Sequence, residues 1–176
     1  MRVLVTGNAG AGKSTLAQAL ASDLRAPYFG LDQIVWRERW QKAPEHERHA
    51  AISDLVALPA WVIDGVSEQV QAAADVVVFL DVPRRTCYWR VLGRNLPYLF
   101  RSRPGLPRHC PEILIAPRLC RIIWRFPRHV RAKILETRGP LLHVRAGGCG
   151  VRRTARVVAE TTRELHQGSS QGNCRR

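Results

Sequence analysis

Residues Gly7-Asn8-Ala9-Gly10-Ala11-Gly12-Lys13-Ser14 match the pattern G-x-x-x-x-G-K-[ST] at every fixed position. Each fixed residue has a mechanical task. Glycine lets the backbone turn tightly and bring its N–H groups against phosphate oxygens. Lys13 carries an ammonium to the outer phosphates, and the Ser14 hydroxyl suits a magnesium ion. The flanks agree with this reading. Val3-Leu4-Val5 is a short apolar run, the signature of a buried parallel strand ending at Thr6. Leu16, Ala17, Leu20, Ala21 and Leu24 then recur at helical spacing. A helix opening at Ser14 and Thr15 adds its N-terminal dipole to the anion site. The stretch predicts a P-loop that binds ATP with Mg2+, contacted by residues 7–15.

Working outward, strands and helices alternate. A short second strand runs through Pro27-Tyr28-Phe29 to Leu31-Asp32. Pro44, with Glu45 and Glu47 behind it, marks a helix start that Pro59 closes. Trp61-Val62-Ile63 forms a third strand closing on Asp64-Gly65, and residues 75–81 form a fourth. The helix after Pro83 is expected to turn Cys87, Val91, Leu92 and Leu96 inward. Residues 101–112, rich in Arg, Pro and Gly, read as a mobile loop. Residues 113–135 read as helix broken at Pro117 and Pro127. Leu141-Leu142-His143-Val144 is the last strand and residues 151–165 the closing helix. The polar stretch 167–176 reads as a disordered tail. The pattern predicts one α/β domain over residues 1–166. It is a three-layer P-loop sandwich, a parallel sheet of about five strands with helices on both faces. Ligands of such sheets sit beyond the carboxyl ends of the strands.

Composition narrows the class. The chain has 176 residues, 45% of them hydrophobic, which suits one globular core. No apolar run reaches the roughly 18 residues of a membrane span. The first strand begins almost at Met1, so a cytoplasmic address is expected. Five cysteines without a C-x-x-C pair point to reduced thiols rather than a disulfide framework or structural zinc. The net charge is +14, and only Lys13, Lys42 and Lys133 are lysines. Between residues 84 and 138, thirteen arginines and Lys133 stand against Glu112 and Glu136, a net +12. Such a segment fits a phosphate-handling surface, a nucleic-acid face, or solvated side chains of an arginine-rich composition.

Asp32, Asp64 and Asp81 fall at or near predicted strand ends, on the edge that carries the loop. A carboxylate there can hold waters around magnesium or take a proton from an attacking hydroxyl; it can also cap a helix or form a turn. Asp64 with Ser14 is the candidate metal pair. Asp32, Asp64 and Lys13 are the candidate catalytic groups nearest the loop.

From this point the sequence resembles adenylate kinase and its small-kinase relatives. The resemblance lies in the P-loop, in Asp64-Gly65, and in Asp81-Val82-Pro83 followed by Arg90-Val91-Leu92-Gly93-Arg94. It implies that Arg90 lies against the adenine ring and that Arg94 binds the transferring phosphate. Spacing of four places both guanidinium groups on one helix face, and arginine can both stack on rings and fork to phosphate. A closer likeness is to the subgroup described as topology-modulation or FlaR-like proteins. It is carried by Leu31-Asp32-Gln33-Ile34-Val35-Trp36 with Trp40, by Trp61 to Gly65, by Arg101-Ser102-Arg103 before His109-Cys110-Pro111-Glu112, and by Ile123-Trp124-Arg125-Phe126. It covers roughly residues 2 to 145.

The sequence also departs from the family. Adenylate kinases follow Asp-Gly with Phe-Pro-Arg, whose arginine grips the monophosphate. Here Val66-Ser67-Glu68 follows, so the resemblance does not carry AMP over as acceptor. Trp36 and Trp40 either cover the core or stack on a ring-bearing acceptor. Arg101 and Arg103, with Arg108, are expected to form a short arginine-rich lid over the triphosphate. Ala146-Gly147-Gly148 is a candidate for close backbone approach to the adenine. The leading expectation is an ATP- and Mg-dependent phosphotransferase acting on a nucleotide or a small hydroxylated metabolite. The alternative is a nucleic-acid-associated ATP-binding protein affecting DNA topology, working through the basic 84–138 segment. Monomer and homodimer both remain open.

Overall fold

Arg2–Gly7 forms strand β1, and every residue after Arg2 in it is buried. The computed structural model describes residues 1–98, 111–135, 140–145 and 151–172. Helix α1 follows at Lys13–Leu24, then β2 at Tyr28–Gly30, α2 at Leu31–Val35, α3 at Glu45–Val56 and β3 at Trp61–Asp64. Next come α4 at Glu68–Ala73, β4 at Val76–Asp81 and α5 at Arg84–Asn95. The chain closes with α6 at Glu112–His129, α7 at Arg131–Leu135, β5 at Leu141–Arg145 and α8 at Val151–Gly172. The five-stranded sheet has the order β2-β3-β1-β4-β5, and all its pairings are parallel. Strand order reverses on either side of β1, so the crevice for a ligand opens at the loop after it.

Both sheet faces are covered. On one side Val3, Val5 and Val78 pack with Leu16 and Leu20 of α1, Cys87 and Val91 of α5, and Val158 of α8. On the other, Leu4, Ile63 and Phe79 pack with Ile52 of α3, Val70 of α4 and Ile134 of α7. Helix α6 serves both layers, since Ile123 joins the first cluster and Phe126 the second. The strands are apolar at successive positions because each side chain, whichever face it takes, meets a helix.

Four sequence expectations are corrected. Leu31 and Asp32 are helical rather than strand. On α5, Cys87, Val91 and Asn95 are buried, whereas Leu92, and Leu96 just past the helix end, are exposed. The buried stripe of that helix is narrow: four-residue steps at 87, 91 and 95 repeat on one face, and Cys87 and Val91 press against the loop at Gly10. Helix α6 passes through both Pro117 and Pro127 and ends only near Val130. Buried Ile115, Ile123 and Phe126 hold its face against the body while each proline removes one axial bond. Finally, α8 continues to Gly172, into the stretch expected to be a tail. No proline interrupts it, and extending an existing helix costs far less than starting one. Residues 173–176, the proposed lid segment 101–110, and Ala146-Gly147-Gly148 lie outside the described residues. Among the described residues no helix is long and apolar enough to cross a membrane.

Asp75, just before β4, closes the opposite edge of the sheet. Its carboxylate accepts from the Arg2 backbone at 2.7 Å and from the Arg2 guanidinium at 2.8 and 3.1 Å. Burial alone would raise the Asp75 carboxyl, but the Arg2 hydrogen bonds and charge overcome it and hold it below the ordinary value. A depressed folded pKa stabilises above the unfolded carboxyl range and loses that stabilisation as pH falls through the folded value. Asp75→Asn is therefore expected to cost about 1 kcal/mol at neutral pH, a partly exposed pair being worth little more. The cost should shrink in urea titrations as the pH falls below the ordinary carboxyl range.

Candidate active site

The loop between β1 and α1 wraps toward the end of the sheet. Gly10 adopts φ 78°, and a Cβ there would sit 2.6 Å from the Cys87 carbonyl and 2.8 Å from Val91. Only glycine fits, because the loop is pressed against α5. Gly12 caps α1 without a side-chain bond, so the first-turn amides of Lys13, Ser14 and Thr15 have no capping side chain as partner. That is a prepared anion site.

Lys13 Nζ donates to the Asn8 carbonyl at 3.0 Å. Burial lowers the Lys13 ammonium's pKa from its ordinary value. The nearby charges of Asp32 and Asp64 push it back up, and Arg94 pushes it down again. A phosphate chain would add further negative charge beside this half-buried cation.

Asp64 ends β3 and is only 6% exposed. Its Oδ2 accepts from Ser14 Oγ at 2.7 Å and its Oδ1 from Tyr28 OH at 2.9 Å. Tyr28 reaches it because Gly30 stands opposite Asp64 in the β2–β3 register. A Cβ on Gly30 would lie 3.2 Å from both Asp64 Oδ1 and the Tyr28 hydroxyl. Glycine thus leaves the corridor for the phenol. Burial, then the Asp64 charge and hydrogen bond, push the Tyr28 phenol up to about 12. The Ser14–Asp64 pair offers two hard oxygen donors at the loop, which fits magnesium. That ion is typically held by one or two carboxylates together with waters and substrate phosphates.

The other expected residues divide. Arg90 Nη1 donates to the Ala11 carbonyl at 3.1 Å, so its guanidinium lies along the P-loop. Arg94, one turn on, is close enough to act on Lys13, and its Nε donates to Asn95 Oδ1 at 3.0 Å. Asp32 belongs to the same group, but from the exposed first turn of α2 rather than from a strand end. Asp81 does not join the site. Arg131 at 2.9 Å and His143 at 3.0 Å share its Oδ2. Arg101 and Arg103 lie outside the described residues.

Trp36 and Trp40 belong to neither core cluster. They meet edge to face at 5.5 Å, Arg118 lies over Trp36 at 5.0 Å, and Trp40 Nε1 donates to the Pro111 carbonyl at 2.9 Å. Sequence reading missed Tyr28 as a partner of Asp64. Alternation along β2 puts residues 28 and 30 on one face, but only the sheet order brings that face to Asp64.

No protein-family model matches the chain. It is similar to adenylate kinase of Encephalitozoon cuniculi, with 24% identity over 53% of this chain and 66% of that protein. Solved structures align along nearly the whole length. A gluconokinase from Sinorhizobium meliloti 1021 superposes with TM-score 0.62 and 15% identity, over 97% of this chain and 96% of that one. Shikimate kinase from Acinetobacter baumannii, in complex with shikimate, gives 0.58 and 16%, over 91% of each chain. Deoxyadenosine kinase from M. mycoides with bound dATP gives 0.56 and 15%, over 92% and 98%. The chain has the α/β fold of the P-loop small kinases.

Replacing Asp64 with Asn keeps the side-chain shape and removes the charge beside Tyr28. The Tyr28 phenol is then expected to titrate below about 12, yet above an exposed tyrosine because burial remains. Ultraviolet difference titration against the parent chain reads this without any ligand.

Proposed function

We propose that the protein is a magnesium-dependent phosphotransferase. It moves the γ-phosphoryl group of ATP to a nucleotide or a small hydroxylated metabolite. This reading rests on the 2.7 Å contact between Ser14 and Asp64 beside the half-buried Lys13. The adenylate kinase relative supports it, and the structural neighbours are named for kinases of gluconate, shikimate and deoxyadenosine, all hydroxyl-bearing small molecules.

In this reading the loop amides and Lys13 hold the triphosphate. Magnesium, when bound through Ser14 and Asp64, neutralises charge on the outer phosphates. An acceptor oxygen forms a bond to the γ-phosphorus as the bond to the bridging oxygen breaks and ADP leaves. Asp64 already accepts on both oxygens, which suits a fixed structural carboxylate. Asp32 is exposed and beside Lys13, and it is the better group to orient a hydroxyl and take its proton. Arg90 lies where a base could stack, and Arg94, on the same helix face one turn on, would bind the transferring group. An exposed Val66 stands after Gly65, where adenylate kinases carry Phe-Pro-Arg, so AMP is not the favoured acceptor.

The nucleic-acid alternative draws no support from these relatives. Several arginines of the basic segment have internal partners. Arg84 lies 4.8 Å over Trp124, Arg90 donates to Ala11, Arg118 covers Trp36 and Arg131 pairs with Asp81.

A panel of nucleosides, nucleotides and hydroxylated metabolites with ATP and magnesium tests the proposal. Transfer to one class is expected, lowered about 100-fold or more in Lys13→Ala. Transfer that survives Lys13→Ala would refute it. So would no transfer together with DNA retention that weakens steeply as salt rises.

A further inference from the structure

Asn8 contacts a helix carbonyl that has lost its ordinary partner. Within an α-helix, the amide of residue 127 would donate to the carbonyl of Ile123, four residues back. Residue 127 is proline, which has no N–H and whose ring crowds that carbonyl. Pro127 is not a stop signal, since α6 continues to His129. Asn8 takes the vacated position. Its Nδ2 donates to the Ile123 carbonyl at 3.1 Å, with Asn8 3% exposed and Ile123 fully buried.

The two oxygens of Asn8 both serve the loop. Its Oδ1 accepts from the Ala9 amide at 2.8 Å. Its backbone carbonyl accepts from Ala11 N at 3.1 Å and from Lys13 Nζ at 3.0 Å. One residue therefore joins the α6 carbonyl, the first loop amide and the Lys13 ammonium. A buried carboxamide holds a single orientation only when its donor and acceptor are both engaged.

We infer that Pro127 is a positioning residue for the phosphate-binding loop. By keeping the Ile123 carbonyl free of the helix ladder, it provides the acceptor that fixes Asn8, and through Asn8 the loop amides and Lys13. The inference rests on the nucleotide-binding reading of that loop. An alanine at 127 restores the axial donor, draws the carbonyl back toward the helix axis, and loosens Asn8.

The test compares Pro127→Ala, Asn8→Ala and the double variant in the full chain. The readouts are amide hydrogen exchange at residues 9–12 without nucleotide, ATP affinity with magnesium, and the thermal midpoint. Pro127→Ala should exchange faster at residues 9–12 and bind ATP about threefold to tenfold more weakly, the worth of one hydrogen bond. Its thermal midpoint should hold or rise, since the helix gains a bond. The double variant should match Asn8→Ala alone, because the contact is already lost. Asn8→Ser replaces Asn8→Ala in the cycle if the latter does not fold. Exchange in Pro127→Ala equal to the parent overturns the inference, as do strictly additive effects. A merely structural proline would move the midpoint and leave the loop unchanged. If the parent chain binds no ATP, the phosphotransfer reading fails, while the exchange comparison still judges the Asn8 contact.

Discussion

The parallel pairing of β1 with β3 fixes most of what this molecule can do. Its register sets Val5 opposite Asp64, and the Gly65 amide donates to the Val5 carbonyl at 3.1 Å. The carboxylate at the end of one strand therefore arrives beside the loop that leaves the other. Ser14, in the first turn of α1, completes the approach at 2.7 Å. Fully buried strands place this edge rigidly, because their alternating side chains are held by helices on both faces. A hydroxyl and a carboxylate are thereby fixed at a helix start that no side chain caps.

Around that edge the cations are distributed by depth. Lys13 is half-buried within the loop, while Arg90 runs along it from α5 and Arg94, one turn later, is exposed. Helix α6 holds the rim together. It meets the loop through the Ile123 carbonyl, α5 through Tyr88 OH on the Cys120 carbonyl at 2.9 Å, and the tryptophan pair through Arg118. A shift of α6 would reach all three regions, since packed interiors transmit displacement rather than absorb it.

The sequence carried the loop, its strand and its helix openly, because each fixed residue of the motif has a separate mechanical role. Strands β3 and β4 were equally legible, since an apolar run between turn residues leaves little else to be. The site around them was read unevenly. Asp64 was found because it ends such a strand. Asp32 was found as a residue but assigned to a strand, since nothing local distinguishes Leu31-Asp32 from the end of β2. Tyr28 was missed because its partner is set by strand order, which no local pattern encodes. Leu92 and Leu96 were expected inside because hydropathy cannot say how narrow a contact is. Pro127 was read as a helix break. It leaves the helix intact and redirects one carbonyl, a role visible only when Asn8 is seen across from it.

The central claim is that Ser14 and Asp64, together with Lys13 of the loop, form one site for a magnesium–nucleotide complex. Calorimetric titration of ATP into the full chain, with magnesium and with a chelator, tests it most directly. The account predicts saturable one-to-one binding that weakens when magnesium is removed, and weakens far less on magnesium removal in Asp64→Asn. Binding that is indifferent to magnesium in the parent chain, or no binding at all, would contradict it.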